Sequence, residues 1–203
     1  MSADLGTHWE QAFAALGLTK PPGELGRVLA AYAEPQRAYH TGVHLEECLA
    51  LFDEVRALAQ RPAEVALALF YHDVVYAPRR QDNEARSAAQ AATALRGAGA
   101  DPATIARVEA WIMATRDHGE TDDADAALVV DIDLAILAAP PARFAAYQEQ
   151  IRQEYRWVPA WIYRRKRAEV LRHFLAKQPI YRTAALAARF EEPARANLRA
   201  ALA

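Results

Sequence analysis

Apolar side chains return at three- and four-residue intervals along most of this chain, the period of a helix that buries one face. Leu45, Cys48, Leu49, Phe52 and Val55 set such a stripe, and it predicts an amphipathic helix over Thr41 to Ala59 whose apolar face continues upstream to His44. Between Val65 and Tyr71 the pattern is apolar all round, so that helix is expected to be buried, with the stripe Val65, Leu69, His72 carrying a histidine at its end. Prolines punctuate the periodic segments in "KPPGE", "RPAE", "ADPAT", "APPA", "VPAW" and "EEPA", cutting the chain into about nine or ten helices. Asp101 before Pro102 reads as an N-cap with proline in the first turn. Glycine is scarce, alanine is abundant and β-branched clusters are short, so summed helix propensity points the same way: the fold class is all-α.

No segment repeats at a fixed period and none has the composition of a long linker, so residues 1–203 are expected to form a single domain. A formal charge of -2 exerts no global pull toward nucleic acid or anionic membrane. Charges interrupt every apolar run before the roughly 20 residues a membrane span needs. One cysteine cannot make an internal disulfide, and "MSADLGTHWE" holds no basic-then-apolar leader; the expectation is a cytoplasmic protein. The alanine surplus permits helix–helix association into a homodimer.

Charged and polar residues inside apolar segments carry the candidate chemistry. "YHTGVH" places His40 and His44 four residues apart, and "FYHDVVY" sets His72 beside Asp73. Alone, His72 reads as a core histidine satisfied by one hydrogen bond. Asp73 changes that balance, because a buried carboxylate needs a cation, and only Arg79 and Arg80 stand near in sequence. In "ALVVDIDLAILAA" Asp131 and Asp133 interrupt a core-grade helix and point about 160° apart at 100° per residue. The Asp133 stripe carries the bulkier side chains, so Asp133 is expected to be the more deeply buried, with Asp131 as the alternative; either could instead cap a helix or meet an arginine from elsewhere. Together His44, His72, Asp73 and Asp133 form a mixed nitrogen and oxygen set suited to a divalent Mn, Fe, Co, Ni or Mg ion; no thiolate belongs to it, which argues against structural zinc.

The order H…HD…D resembles the signature of the HD superfamily of metal-dependent phosphohydrolases, with 28 residues from His44 to His72 and 60 from Asp73 to Asp133. The likeness extends to "DNEARSA", "ATRDH", "VVDIDLAIL", "IRQEY" and "RAEVLRHFL", covers most of residues 39–181, and is nearest a bacterial branch described only as predicted metal-dependent phosphohydrolases. It implies an HD-like helical bundle that binds at least one divalent ion and hydrolyses a phosphate ester or anhydride of a small phosphorylated molecule, a nucleotide above all. "YHTGVH" is also similar to the metal-binding motif of cyclic-nucleotide phosphodiesterases, which implies that His44 is a ligand and His40 the proton donor; Thr41 stands where that motif has asparagine.

The same resemblance draws His118 in "ATRDHG" toward the site, as a contact to substrate phosphate or a second metal, against the alternative of a histidine in a polar loop. Asp73 would take part in catalysis as well as binding metal. Glu84 falls where some relatives carry a histidine; it could orient a water or serve the start of its own helix. Between residues 152 and 182 nine Lys/Arg face two Glu, a local +7 against -9 for the remainder. Arg165 and Arg167 are the candidate contacts to substrate phosphate, Arg167 being favoured by the resemblance; a solvated helix face is the other reading for most of this segment. A degenerate HD domain sensing a nucleotide, and an HD-fold oxygenase with two irons, are the alternative functions.

Overall fold

The computed structural model describes residues 4–119 and 121–203. Residues 1–3, which open the segment read for a leader, lie outside that description, as does residue 120. Ten α-helices and two short 3-10 segments make up the described residues, with no strand among them, so the fold is all-α. No helix among them is long and apolar enough to cross a membrane. The chain forms two compact units, Met1–Asp133 and Leu134–Ala203.

The first unit holds α1 (Leu5–Ala15), α2 (Glu24–Tyr32), α3 (Gly42–Val55), α4 (Pro62–Tyr71), α5 (Asn83–Gly97), α6 (Pro102–Ala114) and α7 (Ala124–Asp133). Helix α4 is its axis: every residue from Ala63 to Tyr71 is buried, and α1, α3, α5, α6 and α7 all pack on it. A helix with no polar face has no other stable position. Trp9 of α1 meets the Phe70 ring edge-on at 5.1 Å between centroids.

Burying α4 leaves the first N–H groups of its leading turn in need of acceptors. Arg61, its N-cap, makes no side-chain cap hydrogen bond, and the carboxylate of Asp125 from α7 anchors the two residues just before the helix, accepting from the N–H groups of Gln60 (2.8 Å) and Arg61 (2.9 Å). Glu64, also buried in this turn, receives two hydrogen bonds from the Arg107 guanidinium of α6, at 2.6 and 2.7 Å. Polar residues on neighbouring helices thus fix the direction of α4.

The expected helix over Thr41 to Ala59 ends sooner: α3 stops at Val55 and Arg56–Leu58 winds on as a 3-10 turn. Helices α5 and α6 meet through a chain reversal legible in "GADP". Gly99 takes φ 86°, Ala100 N–H donates to Leu95 O and Gly99 N–H to Arg96 O, which closes α5. Asp101 then caps α6 by accepting from Ala103 and Thr104 N–H, with Pro102 in the first turn as predicted.

The second unit comprises a 3-10 segment over Leu134–Ala138, α8 (Pro141–Glu154), α9 (Ala160–Ala176) and α10 (Ala184–Leu202). Asn197 of α10 donates to the carbonyls of Leu137 (2.9 Å) and Ala139 (2.8 Å), and Tyr181 donates to Leu134 O (3.0 Å). Glu191 and Arg195 pair one turn apart on α10, with Glu191 accepting from Ile180 N–H and Arg195 donating to Leu175 O and Lys177 O.

Candidate metal centre

Four side chains predicted to share a site converge within the first unit. His44 comes from the first turn of α3, His72 closes α4, Asp73 follows directly, and Asp133 is the last residue of α7. His44 Nε2 lies 3.1 Å from His72 Nε2, 3.2 Å from Asp133 Oδ1 and 3.7 Å from Asp73 Oδ2. His72 Nε2 lies 3.2 Å from Asp73 Oδ2 and 3.6 Å from Asp133 Oδ1. Ligand atoms about 2.1 Å from one ion stand roughly 3.0 Å apart in an octahedral arrangement and roughly 3.4 Å apart in a tetrahedral one, so separations of this size are ones at which side chains could share a metal ion.

The tautomer supports the same use. His72 Nδ1 is 2.8 Å from Leu69 O in its own helix, so the proton of a neutral ring sits on Nδ1 and the Nε2 lone pair faces the cluster. Both imidazoles are almost wholly buried, at 2% and 1% exposure for His44 and His72. Burial alone would push their pKa values down. At His44 the neighbouring Cys48 sulfur and the Asp133 carboxylate outweigh it and raise the value to about 10. At His72 the Asp73 carboxylate leads the opposing effects and holds the value well above the usual imidazole range. Burial likewise works against Asp73 and Asp133, yet His72 pulls Asp73 well below the ordinary carboxylate value, and His118, His44 and His72 do the same for Asp133. The protein therefore holds positive charge between two carboxylates, a place that protons or a metal cation can fill.

Two expectations are corrected here. Asp131, not Asp133, is the more deeply buried: it is fully enclosed, whereas the Asp133 side chain is 16% exposed. Almost all of α7 is buried, so comparing its stripes could not rank the two; the α-helix ends at Asp133, and that residue is the one that opens onto the histidines. Sulfur is also present. Cys48 stands one turn after His44 on the same face of α3, with Sγ 3.7 Å from Nδ1 and 3.8 Å from Nε2, and it joins His44, His72 and Asp133 in a group able to hold a metal. In the sequence the i, i+4 spacing of His44 and Cys48 falls on the apolar stripe of α3.

His118 reaches the cluster rather than facing a polar loop: its Nε2 is 3.1 Å from Asp133 Oδ2, and its backbone adopts φ 48°, in the left-handed region. His40 is half-buried, stacked on Tyr76 at 4.0 Å and 27°, and its charge contributes to lowering Asp73. Arg80 turns away to pair with Asp82 at 2.6 Å and does not neutralise Asp73. Glu84 stands in the first turn of α5, where its charge falls on Arg116. Arg165 and Arg167 belong to the second unit: Arg165 is exposed beside Glu169, and Arg167 donates from Nε to Gln148 Oε1 at 2.9 Å.

Sequence reasoning missed the residue that organises the loops around the centre. Arg37 is buried, and its guanidinium donates to His40 O (3.1 Å), Asp73 O (2.7 Å) and Val74 O (3.0 Å). Tyr32, whose ring lies 5.2 Å from that guanidinium, accepts from Asp73 N–H at 3.3 Å. The backbone of Asp73 is thus held at both its N–H and its C=O. "DNEARSA" secures the next residues: Ser87 Oγ accepts from Val75 N–H (3.0 Å), and the Asn83 amide pairs with both backbone groups of Ala77. Compared with models of protein families, with curated proteins and with solved structures, the chain finds no match in any of the three.

Proposed function

We propose that this chain is a metal-dependent phosphohydrolase of the HD type that acts on a small phosphorylated molecule, a nucleotide being the first class to test. The observation that carries the reading is the convergence of the His44 and His72 Nε2 atoms with the Asp73 and Asp133 carboxylates inside an apolar helical core, with His72 locked by Leu69 O. Mixed imidazole and carboxylate ligation suits Mn, Fe, Co, Ni or Mg, and the adjacent Cys48 sulfur favours the softer end of that series.

Bound there, a divalent ion supplies Lewis acidity, acidifying water and drawing charge from a phosphoryl oxygen. The chain's own residues do the rest. Arg37 and Tyr32 hold Asp73 in place, so its carboxylate stays oriented while charge develops. His118 keeps one ring nitrogen on Asp133 and is partly exposed, which places it to pass a proton to a leaving oxygen; His40, fixed by its stack on Tyr76, is the second group of suitable chemistry. The buried, apolar stretch of α4 from Val65 to Phe70 shields the buried side of the cluster from bulk water.

The test is elemental analysis of protein purified without added metal, beside His72→Ala, followed by phosphate release from a nucleotide panel with Mn, Co, Ni and Mg. Near-stoichiometric metal that disappears in the variant, with metal-dependent release, supports the reading. Metal without release turns it toward a nucleotide sensor or an iron-dependent oxygenase, and a wild type that binds no metal overturns it.

A further inference from the structure

Helices α8 and α9 bring together a second group of polar side chains, far in sequence from the histidine cluster. Gln148 Nε2, Tyr163 OH and Arg167 Nη2 are each buried with no hydrogen-bond partner. They are neighbours: Arg167 Nε donates to Gln148 Oε1 at 2.9 Å, so the unmatched end of that amide lies beside the guanidinium. Tyr163 precedes Arg167 by one turn of α9, and its phenol lies in the field of both Arg167 and Arg152. Flat rings wall the group, with Arg167 Cζ 4.9 Å over the Tyr147 ring and Arg152 Cζ 4.7 Å over that of Tyr163.

The chemistry of these atoms is one-sided. An amide nitrogen and a guanidinium nitrogen can only donate, and a phenol can donate. Burial raises the Tyr163 pKa and so keeps its hydroxyl protonated. Leaving a buried donor unmatched costs roughly 1–3 kcal/mol each, and folded proteins avoid it. Arg167 also has no carboxylate partner among the described residues, although Lys166, one residue before it on α9, is paired with Glu169. What would satisfy the group is an acceptor with several lone pairs and negative charge.

We propose that Arg167, Gln148 and Tyr163 form an oxyanion subsite for a phosphoryl group in the second unit. It stands apart from the metal reading, since neither needs the other to hold. A tetrahedral phosphoryl group offers more acceptor oxygens than a planar carboxylate and matches three donors from two helices.

The experiment is calorimetric titration of inorganic phosphate, and of acetate, at constant ionic strength into wild type, Tyr163→Phe, Arg167→Met and His72→Ala. Tyr163→Phe retains the ring and its packing, so it tests the hydroxyl without threatening the fold. Saturable phosphate binding is expected in wild type and His72→Ala alike, about tenfold weaker in Tyr163→Phe, lost in Arg167→Met, with acetate far weaker. The proposal is overturned by absent phosphate binding, by binding that neither α9 variant changes, by acetate binding as well as phosphate, or by loss in His72→Ala, which would assign the anion to the histidine cluster. Metal content unchanged in Arg167→Met keeps the outcome separate from that of the metal reading.

Discussion

The guanidinium of Arg37 donates from Nη1 to the carbonyl oxygen of Asp73 at 2.7 Å, and with no other atom of Asp73 does it form a hydrogen bond. Arg37 therefore acts on the carboxylate by fixing the backbone beneath it. Replacing Arg37 with Met leaves the carbonyls of His40, Asp73 and Val74 without their buried donor and is expected to cost about 2–4 kcal/mol in stability and about tenfold or more in metal affinity. Lysine restores the charge but not the fork that spans three acceptors, so Arg37→Lys should recover only part of either quantity. Urea denaturation and metal titration on the same samples check this; full metal affinity in Arg37→Met would remove the positioning role.

Metal affinity should rise with pH. The His44 value is raised to about 10 and that of His72 lies well above the usual imidazole range, so near neutrality a metal must displace at least one imidazole proton from between the two Nε2 atoms. The affinity should then climb by about tenfold per pH unit for each proton released. Calorimetry in buffers of different ionisation heats counts those protons directly, and a count of zero would contradict the charge arrangement described above.

The same shift sets a pH window for the metal-free fold. Because the His44 value is raised from 6.5 to about 10, its contribution is fully present below pH 6.5 and is lost as pH climbs toward 10. The lowered Asp73 and Asp133 values act in the opposite direction, contributing above the ordinary carboxylate range and failing in acid. Melting curves of metal-free wild type and His44→Gln should converge between pH 7 and 10.

Arg107→Ala should destabilise the protein by about 2–3 kcal/mol, because it leaves the buried Glu64 carboxylate without its two-pronged partner, while the partial exposure of Arg107 keeps the cost below that of a fully enclosed pair. Replacing both residues with apolar ones should recover most of the loss. Chemical denaturation of the two single variants and the double variant measures the coupling.

Asp125→Ala removes the acceptor for the N–H groups of Gln60 and Arg61, the two residues that lead into α4, and is expected to cost about 1–2 kcal/mol. Asp125→Asn keeps one side-chain oxygen and should lose less. Thermal melting separates the two, and equal losses would show that charge, not hydrogen bonding, is what α4 requires.

The helical class, the buried α4, the Asp101 cap and three of the four residues of the group that could hold a metal, His44, His72 and Asp133, were legible in the chain. Periodicity and capping are local: they depend on side-chain spacing over one or two turns and on the φ preference of Gly99. His44, His72, Asp73 and Asp133 stood out because charge within apolar surroundings is costly without a partner, and that cost is visible before the partner is known. Only the tertiary structure decided which partners meet. Packing about α4 set His118 on Asp133, put Cys48 against His44 in a role its apolar stripe had hidden, and ranked Asp131 as deeper than Asp133. Arg37 carried no sequence signal at all, because its acceptors are backbone carbonyls, which every residue possesses and no composition reveals.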